Sequence, residues 1–313
     1  MEIIEVKNLK KSFGSIKAVK GIDFQVHQGQ LFAFLGCNGA GKSTTIDMLC
    51  TFLKPDAGEV WIQGHQLQHE DEEIRKSIGI VFQDGLLDDL LTIEENMKVR
   101  AALYGLKGKE LQKAINDIMN TMHIEKYAHR LYGTLSGGQK RKCDIARAFI
   151  HQPQILFLDE PTTGLDPQTR QEVWNTIYNL QKKYQLTIFL TTHYMEEAMS
   201  ADYVIIMDEG EIVARGTPFQ LRKQYTRDKL TMISNHHFIQ EWLKEKNIQY
   251  IQNGTEITAF IQNTFEALPI LNHCQKYIED LLSIEFIKGN LKENVMYTLK
   301  LDKNNNIKLE KSK

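Results

Sequence analysis

The stretch LFAFLGCNGAGKSTT, residues 31–45, restricts the fold more than any other part of the chain. Leu31 to Leu35 run without a polar break, as in a strand buried on both faces. Gly36, Gly41, Lys42 and Ser43 then follow in the spacing G-x-x-x-x-G-K-S, with Gly39 between. A helix-like pattern begins at Thr44 and runs to Phe52. Strand, glycine loop and helix in that order make an anion cradle. Glycines let backbone N–H groups turn inward, and the helix adds its positive N-terminal end. Cys37, Asn38, Ala40 and Thr44 belong to the same cradle. Lys42 offsets phosphate charge, and the Ser43 hydroxyl suits a divalent cation. A dinucleotide loop is disfavoured, because the glycines fall as G-x-x-G-x-G and not as G-x-G-x-x-G.

A second element completes this chemistry. In ILFLDEPTTGLDP, residues 155–167, an apolar strand ends at Asp159 and Glu160. A carboxylate at the end of a buried strand beside a phosphate loop suits Mg2+, which fits Asp159. Glu160 then faces the water near the terminal phosphate, as a base or water-positioning group.

The rest of the chain fits around these two elements. Its 313 residues allow roughly two domains, and 42% hydrophobic residues are enough for a core. Thirty-eight basic and 40 acidic side chains leave a net charge of -2, so composition does not ask for nucleic acid. Four cysteines, Cys37, Cys50, Cys143 and Cys274, have neither metal-ligand nor disulfide spacing, as in reduced thiols. The first residues, MEIIEVKNLKKSFG, lack the apolar core of a signal peptide. No apolar run approaches the roughly 18 to 20 residues of a spanning helix. The expectation is a soluble chain that meets a membrane only through a partner.

Strand-like and helix-like stretches alternate to about residue 225, which implies a mostly parallel sheet with packed helices. EIIEV, VWI, GIVF, TIFLT and YVIIM read as strands. Thr92–Tyr104 and Glu110–Met122 are helical in pattern, so residues 85–150 read as a helical insertion. After Tyr225 the texture becomes a small α+β unit over 226–300. Its strands are near Leu230, Ile248 and Ile257, and its helices are 238–245 and 265–274, the second weakened by Pro269. The polar tail 301–313 reads as disordered.

With these elements laid out, residues 1 to about 225 resemble the ATP-binding subunit of an ABC (ATP-binding cassette) transporter. The motifs arrive in the family's order. Gly36 to Ser43 matches the Walker A loop, and Asp159 and Glu160 match Walker B. Gln83 in IVFQDG matches the Q-loop glutamine, and Leu135 to Gln139, LSGGQ, matches the signature. Asp166 in GLD looks like the D-loop, and His193 in LTTHYMEEA matches the switch histidine. Phe13 sits where the family stacks an aromatic on adenine. Alone, Gln83 reads as a surface residue, His193 as a structural histidine and Phe13 as core. Their order beside LSGGQ decides otherwise.

The resemblance implies a P-loop NTPase of α/β class, with an N-terminal antiparallel β portion, an inserted helical subdomain and a small C-terminal α+β domain. It implies ATP and Mg2+, with Mg2+ on Ser43, Gln83 and Asp159, and catalysis by Glu160, His193 and Lys42. It implies an integral membrane permease and a second cassette placed head to tail. Ser136, Gly137, Gly138 and Gln139 then close over the partner's ATP, at the cytoplasmic face of the membrane. The TTHYMEEA wording, LYGL near Tyr104 and the extra C-terminal unit look like the antibiotic- and multidrug-export branch. Residues 290–300 are similar to the short helix that closes that branch's C-terminal domain.

Two departures stand out. Cys37 replaces the proline that usually follows the first Walker A glycine, which loosens the loop and puts a thiol beside the phosphates. Gln139-Lys140-Arg141-Lys142 replaces a more glutamine-rich run, as the export branch tolerates. Two rival readings remain: a soluble ABC ATPase acting on a target other than transport, and an ATP-binding resistance or regulatory switch. The intact Glu160 and His193 argue against the switch.

Overall fold

The computed structural model describes residues 1–225, 228–234, 238–261 and 264–288. The expected closing helix at 290–300 and the tail at 301–313 lie outside them. The chain divides into two units, Met1–Pro218 and Phe219–Lys313.

The first unit holds two sheets. β1 (Glu2–Phe13) and β2 (Ile16–His27) form a long antiparallel hairpin. Ile4, Val6 and Leu9 on one strand and Ile22, Phe24 and Val26 on the other are buried, close to the two-residue period of a half-buried sheet. β4 (Ala57–Ile62) pairs with β1, and β5 (His65–Gln66) with β4.

The second sheet is built on β3 (Leu31–Leu35), β6 (Ile78–Val81), β7 (Ile155–Asp159), β8 (Thr187–Thr192), β9 (Tyr203–Asp208) and β10 (Glu211–Gly216). Its order is β10-β9-β3-β8-β7-β6. All neighbours are parallel except β10, which turns back antiparallel on β9. Every residue of β3 and β8 is buried, so the apolar runs in the sequence are strands covered on both faces. Phe24 of the first sheet meets Phe34 and Phe189 of the second with ring centroids 5.0 and 6.0 Å apart, which joins the two sheets through one aromatic core.

Helices fill the connections: α1 (Lys42–Leu49), α2 (Asp71–Ser77), α3 (Ile93–Leu103), α4 (Gly108–Met122), α5 (Gly137–Phe149), α6 (Pro167–Tyr184) and α7 (Met195–Ala198). α3, α4 and α5 succeed one another without a strand between them. α3 starts on a capping box in which Thr92 and Glu95 satisfy each other's backbone N–H. α1 begins at Lys42, two residues before the expected start, so Lys42 and Ser43 stand in its first turn.

α8 (Pro218–Tyr225) starts on the last residue of the first unit and continues into the second. Then come β11 (Asp228–Ser234), α9 (Phe238–Glu245), β12 (Tyr250–Asn253), β13 (Glu256–Ile261), α10 (Thr264–Cys274) and β14 (Leu281–Ile287). Its antiparallel sheet has the order β12-β13-β11-β14. Leu230, Met232, Ile239, Leu243, Ile257 and Ile270 form a separate core. The division falls before the expected 225, because the first unit's last strand ends at Gly216 and all of α8 beyond Pro218 belongs to the second unit. The change of composition tracks the end of α8, not the end of the sheet. Sequence reasoning did not mark β2, β5, β10, β14, α2, α7 or α8. β14 is an edge strand whose middle is exposed, so its alternation carries little signal. Among the described residues no helix is long and apolar enough to cross a membrane.

Candidate functional site

The glycine loop sits at the end of β3, the strand between β8 and β9. Gly41 caps α1 with φ at 100°, a conformation that favours glycine. A Cβ there would also run into the Ala18 carbonyl oxygen. The Lys42 amine folds back into its own loop and donates to the carbonyls of Gly36 at 2.9 Å and Cys37 at 3.2 Å. It also lies 3.5 Å from Glu160 Oε1.

β7 and β8 run beside each other and bring the second group of residues to this point. Asp159 ends β7, and its Oδ1 accepts from Ser43 Oγ at 3.4 Å and from Thr191 Oγ1. Burial and the charge of Asp159 push the nearby Asp47 carboxyl above the usual range. Glu160 comes next with φ at 44°, a left-handed conformation uncommon for a residue with a side chain. Its amide donates to the Thr191 carbonyl at 3.1 Å. Its carboxylate is bracketed: Oε1 faces Lys42, and Oε2 lies 2.9 Å from His193 Nδ1 and accepts from Thr163 Oγ1 at 3.2 Å.

These groups open onto a cleft of about 660 Å3. Phe13, Asn38, Gly39, Gly41, Lys42, Ser43, Thr44, Gln83 and Glu160 line it, all of them singled out from sequence. Phe13 ends β1 and is 49% exposed, so it stands at the mouth of the cleft and is not core. Gly36 and Ala40 are buried in the loop, whereas Cys37 is exposed. Lys17 and Lys20 of β2 also line the cleft and extend its positive side; nothing in their sequence context marked them.

LSGGQ is placed apart from this lining. Ser136 caps α5 in a capping box: its Oγ accepts from the Gln139 amide, and Gln139 Oε1 accepts from the Ser136 amide. Ser136 and Gly137 are exposed, and none of Ser136 to Gln139 lines the cleft. Gly138 is buried against α6, where an added Cβ would overlap Thr169 Cγ2. Asp166 caps α6, its Oδ1 accepting from the Thr169 amide at 3.0 Å. Hydrogen bonding from Thr169 holds the Asp166 carboxyl below the usual range.

Several supporting residues escaped sequence reasoning. Glu197 is buried and accepts from Thr162 and from Thr192, the latter at 2.6 Å, joining the turn after Glu160 to the residue before His193. The two threonines before His193 are the only trace of this in the sequence. Lys140 and Lys142 pair with Asp89 and Glu172, but Arg141 between them is buried.

Residues 19–163 match the family model described as ABC transporter. The probable multidrug ABC transporter ATP-binding protein YbhF of Escherichia coli (strain K12) is 36% identical over 227 residues, 72% of this chain and 39% of that protein. This chain therefore spans about two fifths of YbhF. The doxorubicin resistance ATP-binding protein DrrA of Mycobacterium tuberculosis (strain ATCC 25618 / H37Rv) is 38% identical over 222 residues, 70% of this chain and 67% of that one. Among solved structures, the dimeric ATP-binding cassette MJ0796 bound to ADP and Pi superposes with a TM-score of 0.62 at 28% identity, over 69% of this chain and 98% of that one. Together with the loop, the two carboxylates and the signature helix, these likenesses show that the chain belongs to the ABC transporter family, as one of its ATP-binding proteins.

Proposed function

We propose that this chain binds and hydrolyses ATP to drive export through a separate integral membrane permease, held at the cytoplasmic face of the membrane by that permease. The observation that carries the reading is the Glu160 carboxylate, bracketed by Lys42 and His193 at a cleft lined by the glycine loop. The multidrug and doxorubicin wording of the relatives' names supports a drug-like, amphipathic cargo.

ATP enters with its phosphates against the backbone N–H groups of residues 36–44 and its adenine on Phe13. Lys42 then leaves the carbonyls of Gly36 and Cys37 and turns to the β- and γ-phosphates. Its departure frees Glu160 Oε1 to accept a hydrogen bond from the attacking water. Glu160 orients that water and takes its proton, while His193 holds the carboxylate and faces the γ-phosphate. Catalysis of this kind is mostly positioning and electrostatics.

Ser43, Asp159 and Gln83 fit Mg2+. They offer only hard oxygen donors, Ser43 and Asp159 already meet, and the crowded charge of Asp47 and Asp159 favours a cation. When bound, Mg2+ offsets phosphate charge. Among the described residues no cluster of three His, Cys, Asp or Glu side chains forms a closed metal cage. That suits an ion which completes its shell with water and phosphate.

Phosphate release by the purified chain tests the reading. Glu160→Gln should keep ATP binding and lose about 100-fold or more in turnover. Near-normal turnover in that variant removes Glu160 from the catalytic role. Tight ATP binding by the wild-type chain with no phosphate release, alone or with its permease, favours the regulatory switch. Gentle extraction should recover the chain with an integral membrane protein, and recovery with ribosomes instead favours the soluble ATPase.

A further inference from the structure

We propose that Arg141 is a positioning residue for hydrolysis, tying the main chain at Gln83 and Glu160 to the signature helix; this rests on the hydrolytic role of Glu160. Arg141 is 7% exposed and spends its guanidinium on carbonyl oxygens. Nε donates to the Pro161 carbonyl, and Nη2 to that of Glu160 at 3.1 Å. Nη1 donates to the carbonyl of Phe82 at 2.5 Å and reaches that of Gln83 at 3.5 Å. Two of these carbonyls belong to the candidate catalytic and Mg2+-binding residues themselves, and the other two are their immediate neighbours.

Arginine suits this place because its planar fork serves several acceptors at once while staying charged. Six residues further along α5, Arg147 is also buried and donates to the Ile80 carbonyl. The helix thus grips alternate carbonyls along β6 and its continuation, Ile80 and then Phe82. At its other end it presents Ser136, about 7 Å along the axis from Arg141.

The backbone of Glu160 gives this contact its consequence. A left-handed residue with a side chain persists only where its surroundings over-determine it. Glu160 is pinned on both sides, its amide by Thr191 and its carbonyl by Arg141. Without Arg141 one of those restraints is gone. The residue can relax toward negative φ, which turns its carboxylate away from Lys42 and His193. ATP in the loop depends on residues 36–44 and would be held as before. Arg141 should therefore act on turnover and leave nucleotide affinity alone.

The test uses the full chain carrying Arg141→Met, which keeps most of the side-chain volume, and Arg141→Lys, which keeps the charge. Melting curves and ATP binding confirm that each variant is folded. The expected result for Arg141→Met is a kcat lower by at least about tenfold with KM and ATP affinity within about threefold. Arg141→Lys should regain part of the lost kcat. In a Glu160→Gln background, Arg141→Met should still form the ATP-driven dimer to the same extent. A kcat within about threefold of wild type in both variants overturns the proposal. So does loss of the dimer in the Glu160→Gln background, which would place Arg141 behind Ser136 rather than behind its own chain's site. If Arg141→Met does not fold, Arg141→Lys alone decides on the same kcat and KM criterion. Normal turnover by Glu160→Gln alone would instead sink the hydrolysis reading, so the two failures are distinguishable.

Discussion

Cys37 stands where many members of this family place proline, and its environment separates it from the other three thiols. Cys50, Cys143 and Cys274 are buried, and Cys37 is exposed. Burial pushes the Cys50 thiol well above its usual value, Cys143 to about 12 and Cys274 to about 11. Near pH 8 those three stay protonated and shielded, so a maleimide should modify Cys37 at least about tenfold faster than any of them. Mass spectrometry of the labelled native chain reads this directly. Because the Cys37 carbonyl holds Lys42 and its neighbours form the proposed phosphate cradle, the adduct should block hydrolysis, and prior ATP should protect. A Cys37→Ala variant that stays equally sensitive to alkylation would move the effect to another thiol. The same scale shows why some residues were legible in sequence and others were not. Residues 36–43, 135–139 and 155–166 carry their chemistry in contiguous letters. Arg141 acts on main-chain oxygens 19, 20 and 59 positions away, and a carbonyl leaves no residue-type pattern to read.

The elements around the site explain two further sensitivities. α5 and α6 approach closely because Gly138 offers no Cβ to Thr169. Gly138→Ala should cost about 1–3 kcal/mol through overpacking and lower the melting temperature. Thr169→Ser removes the clashing methyl and should restore most of that loss, whereas failure of the rescue would mean the clash is not the cause. β6 and the helices beside it meet at His151, whose Nε2 lies 3.0 Å from the Ile78 carbonyl and whose ring stacks on Tyr104 at 3.8 Å. Burial, aided by the positive Arg100 and Arg147, pulls His151 down to about 4. Linkage sets the sign: the unfolded chain takes up the proton first. Stability tied to His151 is whole above about pH 6.5 and falls as the pH drops toward 4, by up to about 3 kcal/mol. Melting temperatures across that window should fall in the wild type and fall less in His151→Phe; parallel slopes would assign the acid sensitivity elsewhere. Apolar runs marked five of the six strands of the mainly parallel sheet, because burial on both faces imposes them. The edge strand β14 and the short α2 escaped, since little of either is buried.

For the molecule as a whole, the signature helix raises the question that its own chain does not answer. Ser136 and Gly137 are exposed at the start of α5, with the positive end of a helix behind them, yet the glycine-loop cleft is lined by other residues. In the proposed reading this helix end meets the phosphate held by a second chain, and the MJ0796 cassette is a dimer with ADP and Pi. Two cassettes head to tail would each give a glycine loop to one nucleotide and a Ser136 cap to the other. Ser136→Arg puts a long cation at that helix end. The loop of the same chain is untouched, so ATP affinity of the monomer should stay within about threefold of wild type. In a Glu160→Gln background, which traps bound ATP, light scattering should show ATP-driven dimers that vanish when Ser136→Arg is added. Loss of ATP binding by the monomeric variant would place Ser136 at its own chain's nucleotide. Dimers that persist unchanged would remove LSGGQ from the interface and leave the exposed cap unexplained.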